Sequence, residues 1–346
     1  MTAASAPPMF DAEATERRLP WPALIDAIAR MMARKREGLT TSPERLALPL
    51  AGGVLLAMPA TDGQYVSTKI VTVHAGNPSI GLPSVQSEVT LMRADTGRRL
   101  AVIDGQVVTA RRTAAVSLLA TIHLLAPRPP SALIVGAGAQ ARIHLQALAE
   151  GLGLQDFEIA SRTPASAERL VAFALARGWR ARCVDDLDAA VARHRLIVLA
   201  TTATAAVIPD RVRDDALVVA VGAYRPQMCE LPASLVHRSR VVVDDLAGAR
   251  HEAGDLIQAG VDWSTVTPLE RLLPRDEPPA DSADDDPSDD DQADGDRASG
   301  KRDDEPVPAD HTGSDRTGSD RPRPTVFKSV GQALWDLAAC RLVAEP

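Results

Sequence analysis

The stretch Ser131-Ala-Leu-Ile-Val-Gly-Ala-Gly-Ala-Gln-Ala-Arg-Ile-His144 decides the reading of this chain. An apolar run meets two glycines, Gly136 and Gly138, and a helical pattern follows from about Gln140. This is the strand, tight turn and helix start of a dinucleotide-binding unit. Glycines let the backbone turn sharply and approach a pyrophosphate closely. The helix N-terminus offers that pyrophosphate free N–H groups and a favourable dipole. Ala141 stands where G-x-G-x-x-G/A has its third small residue, as helix–strand packing requires. Alone, the pattern fits any tight turn between a strand and a helix.

The surroundings favour a cofactor loop. Short apolar strands are expected at 132–135, 156–161, 180–184, 196–200, 217–221 and 241–244, with helical stretches between most of them. Such alternation means βαβ units and a parallel sheet. The loop at Gly136 through Ala139 and Gln140 then holds the pyrophosphate. The segment Ser161-Arg162-Thr163 ends the second strand, where NAD sites usually place an acid for the ribose 2′-hydroxyl. A cation between two hydroxyls suits a 2′-phosphate and favours NADPH, with NADH possible; the plainer alternative is that Arg162 stacks on adenine or faces water. Thr202 and Thr204 after the fourth strand, and Val221 and Gly222 after the fifth, fall at strand carboxyl ends, where open α/β sheets bind ligands. For Thr204 ordinary turn chemistry is an equal account.

More than a hundred residues precede the loop. Helices are expected over 14–36, the second opened by Pro20-Trp-Pro22 and carrying an apolar face of Leu24, Ile25, Ile28 and Met31. Strands are expected at 45–50, 53–58, 64–74, 84–92 and 99–104, separated by turn signals, giving a mixed or antiparallel sheet. A strong helix is expected over 113–125, and a last one over 329–343. The fold class is α/β: a Rossmann domain over 129–275, and an α+β substrate and dimerisation domain over 1–128 completed by 326–346. Residues 276–325 are an acidic insertion, with 17 acidic and 6 basic residues and almost no large apolar ones. Such a segment cannot bury enough surface to offset its chain entropy and is expected to be disordered.

Composition excludes several classes. The net charge of −8 comes from the insertion; the remainder carries about +3, which suits anionic ligands but is too little for nucleic acid. No apolar run is long enough for a membrane span, and the N-terminus lacks a signal-peptide core. Cys183, Cys229 and Cys340 are far apart, as expected of reduced thiols in a cytoplasmic protein, with no metal site.

Three basic residues stand out before the loop. Arg45 begins a strand, Lys69 sits inside the apolar strand 66–73, and Arg112 precedes the helix at Thr113. Each alone reads as a solvated or snorkelling side chain. Together, beside a cofactor domain, they read as a clamp for a carboxylate, which a planar guanidinium grips through two parallel hydrogen bonds.

In order along the chain, several pieces resemble the ornithine cyclodeaminase/mu-crystallin family. They are Pro43-Glu-Arg45, Lys69-Ile-Val71 with Asn77-Pro78, Asp104-Gly105, Thr109-Ala-Arg-Arg-Thr-Ala-Ala115, Gly136-Ala-Gly-Ala-Gln-Ala141, Ser161-Arg-Thr163, Val243-Asp-Asp245 and Val326-Phe-Lys-Ser-Val-Gly331. The resemblance covers nearly everything but the acidic insertion. It implies a homodimer, a substrate carboxylate held by Arg45, Lys69 and Arg112, and Ser329 and Gly331 near the nicotinamide. Cyclodeaminases of that family carry Asp where this chain has Tyr224, in Gly222-Ala-Tyr-Arg-Pro-Gln-Met-Cys-Glu230. A phenol, with an ordinary pKa of about 10, is a poor base near neutral pH. The Tyr variant resembles Δ1-pyrroline-2-carboxylate reductases, which implies reduction of cyclic imino acids to L-proline or L-pipecolate. Lys69 and Tyr224 are then the candidate catalytic residues. An ornithine cyclodeaminase, an alanine dehydrogenase-type enzyme and a non-catalytic NADP(H)-binding protein are the alternatives.

Overall fold

The computed structural model describes residues 6–274 and 322–345. The acidic stretch expected to be disordered lies outside them, except for residues 322–325. A strand β1 (Met9–Phe10) and helix α1 (Ala12–Arg17) lead into α2 (Trp21–Arg36). Five strands follow: β2 (Leu46–Leu50), β3 (Gly53–Thr61), β4 (Tyr65–His74), β5 (Val85–Arg93) and β6 (Arg99–Asp104). They form an antiparallel meander in sequence order, with β1 added parallel to β6. Alternation decides its faces: Ser67, Lys69 and Val71 of β4 point into the molecule and Ile70 points out.

The long helix α3 (Gly105–Leu124) starts eight residues earlier than its sequence suggests. Asp104 caps it, accepting from Val107 N at 2.8 Å, so the Asp-Gly pair is a helix start rather than a loop. Arg112 therefore lies well inside the helix, not at its beginning. From Arg111 to Thr121 the helix is buried all round, because it runs between the two sheets, and a stretch with no exposed face offers no periodicity to show where the helix begins.

Then strands and helices alternate: β7 (Ser131–Val135), α4 (Ala139–Leu152), β8 (Asp156–Ala160), α5 (Pro164–Leu175), β9 (Arg180–Cys183), α6 (Leu187–Arg193), β10 (Leu196–Leu199), β11 (Leu217–Ala220), α7 (Ala233–Arg238), β12 (Arg240–Val243), α8 (Leu246–Glu252), α9 (Gly254–Ala259) and β13 (Thr267–Pro268). Past the acidic stretch come β14 (Thr325–Lys328) and α10 (Ala333–Ala344). The second sheet is wholly parallel, in the order β9-β8-β7-β10-β11-β14-β12-β13. Its first strands follow the Rossmann order, with the switch point between β7 and β10.

The C-terminal segment departs from expectation twice. Thr325–Lys328 is a strand of the parallel sheet, inserted between β11 and β12, rather than part of the other domain or of the insertion. Its Val326 and Phe327 are fully buried on opposite faces of the sheet, one in each hydrophobic core. The last helix begins at Ala333, because residues 329–332 form a turn described below. That helix then crosses to the antiparallel sheet, packing on β3, β4 and β5 and against α2 and α3, with Trp335 fully buried. One chain segment thus serves both sheets.

Helices α3 and α4 are joined by a buried polar pair. His144 Nδ1 lies 2.8 Å from Gln140 O and its Nε2 lies 2.9 Å from Ser117 Oγ. Burial pushes the imidazole down to about 4, against the pull of the Gln140 carbonyl. The folded value lies below the unfolded 6.5, so this stabilising contribution is complete above pH 6.5 and is lost as the pH falls toward 4. Urea unfolding between pH 7 and pH 4 should show a loss of about 3 kcal/mol from this group, and the His144→Leu variant should lack that part of the acid sensitivity.

Candidate active site

The carboxyl edge of the parallel sheet gathers the cofactor-loop residues. Gly136 follows β7 with a φ of +118°, and a Cβ there would fall 2.3 Å from Ala200 O, just past β10. Only glycine permits that approach between the two strands at the switch point. Gly138 precedes α4 without a side-chain cap, and a Cβ on it would project into open space. Ala139 opens the helix. The N–H groups of its first turn are therefore offered to the crevice, the arrangement a pyrophosphate needs. Gln140 has its side-chain Oε1 buried without a partner.

Past β8, Arg162 is exposed and makes no hydrogen bond among the described residues, while the Thr163 hydroxyl lies 2.8 Å from Ser166 Oγ. Ser161 sits beside them, half-buried. Past β10, Thr202 is exposed and Thr204 forms an isolated bridge to Cys229. Val221 and Gly222 follow β11, buried. A residue outside the sequence expectation joins these two loops. Buried Glu230 accepts from Thr201 N (2.6 Å), Thr201 Oγ1 (2.8 Å) and Gly222 N (2.7 Å). Beneath it, fully buried Lys328 pairs with Asp255 at 2.9 Å.

The three expected cations are neither solvated nor snorkelling. In the register of the antiparallel sheet Lys69 lies between Met58 and Val89, on the inward face. Arg45 immediately precedes β2, whose pairing with β3 runs out one residue short of Met58. Lys69 is 3% exposed; its Nζ lies 2.8 Å from Asp336 Oδ2 and 3.3 Å from Thr109 Oγ1. Arg112 Nε donates to the other oxygen, Asp336 Oδ1, at 3.0 Å. Its neighbour Arg111 points the other way, to Leu19 O and over the Trp21 ring, as successive helix positions do. The terminal nitrogens of Arg112 have no hydrogen-bond partner among the described residues and face Gly331; a Cβ there would fall 2.6 Å from Nη1. Arg45 Nη2 donates to Glu252 Oε2 (2.6 Å) and to Gly331 O (3.2 Å).

The turn that presents Gly331 is held by Asp244, at the end of β12. Its carboxylate accepts from Ser329 Oγ (2.7 Å), Val330 N (3.1 Å) and Gly331 N (2.9 Å). Gly331 has a φ of +81°, so this turn requires glycine both for its backbone and for the space Arg112 fills. Ser329 is buried with its hydroxyl on Asp244, so it shapes the turn. The turn leaves the edge of the parallel sheet and ends against Arg45 and Arg112. The carboxyl edge of the parallel sheet and the cation cluster are therefore adjacent.

Burial pushes the Lys69 ammonium down to about 8; Asp336 opposes this, and the Arg112 and Arg45 charges add to it. Burial also disfavours the Asp336 carboxylate, but Lys69 and Arg112 more than reverse that and hold it below the ordinary range. Tyr224 stands apart. It is exposed on the loop after β11, its hydroxyl has no hydrogen bond among the described residues, and Arg225 lies 5.6 Å from its ring centroid.

Asp336, Glu252, Asp244 and Glu230 escaped the sequence reading. Asp336 did leave a signal, as the one acid in the apolar helix Ala333–Ala344. Asp244 lay within a quoted motif, but nothing local says that its oxygens reach a turn 85 residues away.

The sequence model of the ornithine cyclodeaminase/mu-crystallin family matches residues 7–346. The chain belongs to that family. Within the ornithine cyclodeaminase/mu-crystallin family, it is 37% identical over 342 residues to a Delta(1)-pyrroline-2-carboxylate reductase 1 of Burkholderia multivorans, covering 99% of this chain and 96% of the relative. The same identity and coverage relate it to a Delta(1)-pyrroline-2-carboxylate/Delta(1)-piperideine-2-carboxylate reductase of Azospirillum brasilense. Its fold is similar to that of the Thermococcus litoralis Delta(1)-pyrroline-2-carboxylate reductase solved with NADH and L-proline (TM-score 0.78, 24% identity, 97% of this chain and 96% of the other).

Asp336 compensates two buried cations, and removing one partner of such a pair costs about 3–5 kcal/mol. Asp336→Asn should lower the urea unfolding free energy by that amount. It should also move the titration of Lys69, followed at its 13Cε resonance, to lower pH; an unmoved Lys69 titration would contradict the pairing.

Proposed function

We propose that this chain is an NAD(P)H-dependent reductase of cyclic imino acids, converting Δ1-pyrroline-2-carboxylate and Δ1-piperideine-2-carboxylate to L-proline and L-pipecolate. The observation that carries this reading is the open end of Arg112. Its two terminal nitrogens, beside Lys69 and Arg45, meet the turn at Gly331 that comes directly from the nucleotide-binding edge. A carboxylate held there lies next to the crevice of the switch point. The two full-length relatives named as reductases of these substrates support the same reading.

The residues divide the work by chemistry. Arg112 grips the substrate carboxylate through its free fork, and Lys69 adds a desolvated charge, so that C2 of the ring is oriented. Bound NAD(P)H supplies the hydride for that carbon. The imine nitrogen must gain a proton, relayed by water or by the Tyr224 hydroxyl, which is unengaged on the loop after β11. A cyclic iminium is already electrophilic, so the general base of a cyclodeaminase is not required. The loop Gly136–Gln140 and the first turn of α4 receive the pyrophosphate, and Ser161, Arg162 and Thr163 the adenosine ribose. Thr202, Thr204, Val221 and Gly222 line the approach to the nicotinamide, and Ser329 fixes the turn below it. With Arg162 free and no acid at that strand end, NADPH is the preferred cofactor.

Two copies of the chain are expected to associate. The outward face of the antiparallel sheet exposes Leu46 and Leu48 on β2 and, across β3, Ile70 on β4, an apolar surface suited to a second copy. Light scattering of the purified protein should report a dimer, and charged substitutions at Leu46 and Ile70 a monomer.

The deciding assay follows NADPH and NADH oxidation with five- and six-membered cyclic imino acids. Both should be reduced without added ammonia, whereas L-ornithine with NAD+ should yield neither proline nor ammonia. Lys69→Ala and Arg112→Ala should each raise KM for the imino acid by about tenfold or more, as expected for loss of a charged hydrogen bond. Arg162→Ala should raise KM for NADPH by about tenfold and leave that for NADH nearly unchanged. Normal imino acid reduction by Lys69→Ala, or release of ammonia from ornithine, would overturn the reading.

A further inference from the structure

Arg112 and Arg45 differ in what they have free. A guanidinium grips a carboxylate bidentately through one of two forks, the side-on Nε/Nη2 pair or the end-on Nη1/Nη2 pair, and Nη2 belongs to both. Arg180 and Arg213 use the side-on fork on Asp156 and Asp215 in this chain. At Arg45 both Nη2 protons are engaged, one by Glu252 Oε2 and one by Gly331 O. A bidentate carboxylate cannot bind Arg45 until one of these acceptors leaves. Gly331 O is backbone, in a turn pinned by three hydrogen bonds to Asp244. Glu252 is a side chain at the last position of α8, in the wall of a pocket it shares with Arg45, Met58, Gly331 and Gln332. Glu252 is therefore the acceptor that moves.

We propose that Glu252 is a displaceable positioning residue of the carboxylate site: it occupies Arg45 until the substrate carboxylate takes its place, and it then stands aside as a neutral carboxylic acid. The proposal rests on the reading of Arg45, Lys69 and Arg112 as the carboxylate clamp. The proton comes from solvent, and no other bond changes. The surroundings explain why the displaced group is neutral. Asp244 and Asp245 face it from the end of β12, and Asp245 is itself held by Lys35 of α2 at 2.8 Å. On its own helix the neighbour His251 lies 3.5 Å from Glu44, the residue before Arg45. Lys69 and Arg112, beyond Arg45, are both paired with Asp336. Arg45 is thus the cation paired with Glu252, and losing it leaves Glu252 half-buried beside two like charges. Even with Arg45 present, burial and those two aspartates hold Glu252 up at about 7.

The consequence is a pH-dependent capture step. Ionised Glu252 competes for Arg45; protonated Glu252 does not. The test measures the Kd of pyrrole-2-carboxylate, a flat ring carboxylate with no reducible C=N bond, on the full-length protein saturated with NADPH. In the wild type, Kd should rise about tenfold between pH 6 and pH 8 as Glu252 ionises, with about twofold more from deprotonation of Lys69. E252Q should retain only the part of about twofold and should bind more tightly than wild type at pH 8. E252A should behave alike, which guards against a glutamine amide re-forming the contact. The proposal is overturned if both variants keep the full tenfold slope, or if both bind more weakly than wild type at pH 8, the result of a Glu252 that merely braces Arg45. Should Arg112→Ala leave the wild-type Kd unchanged, the carboxylate clamp itself fails, and the role of Glu252 falls with it.

Discussion

A single buried carboxylate, Asp336, lies between two buried cations, Lys69 and Arg112. Taking an ammonium and a guanidinium out of water is costly, and in an apolar layer each would lose its charge or drag the fold open. One carboxylate with an oxygen for each removes most of that cost. It leaves the triad with one net positive charge and the terminal nitrogens of Arg112 unengaged. The same arrangement that makes the interior tolerable therefore leaves a site short of one anion. Arg45 is different, because Glu252 already balances it.

This constraint explains the path of the chain. Asp336 can reach Lys69 only if α10 lies against the inward face of the antiparallel sheet, and Arg112 only if the same helix runs beside α3. The segment carrying α10 comes off the parallel sheet, where β14 is wedged between β11 and β12. The turn between β14 and α10 is short, so it must pass the carboxyl edge of the nucleotide sheet on its way to the cations. Asp244 fixes it there, and Gly331 touches both Arg45 and Arg112. The carboxyl edge of the parallel sheet and the cation cluster are thus joined by the four residues 329–332 rather than by a flexible domain hinge.

Much of this was legible locally. The glycine loop, the alternating strands and the antiparallel meander follow from turn residues and hydrophobic period, which act over a few positions. Lys69 was conspicuous because a lysine in an apolar strand conflicts with its neighbours. Boundaries failed where burial is all-round. The body of α3 from Arg111 to Thr121 is buried without a break and so has no exposed face, and β14 is only four residues, Thr-Val-Phe-Lys, too short to show a strand pattern. Glu252 ends a short helix in an ordinary-looking His-Glu-Ala-Gly-Asp run, and no local pattern distinguishes a solvated glutamate from one facing an arginine 207 residues earlier.

The sequence by itself determined the fold class, the glycine turn between β7 and α4 and which three cations stand out, because periodicity, glycine placement and a misplaced charge are properties of neighbouring residues. Only the tertiary structure decided which acids answer those cations, which of the two arginines is open, and how the C-terminal strand brings the nucleotide edge to them. The acid–cation pairings run across more than 200 residues, set by which layers pack together, and charge compensation at that range leaves no spacing in the chain to read.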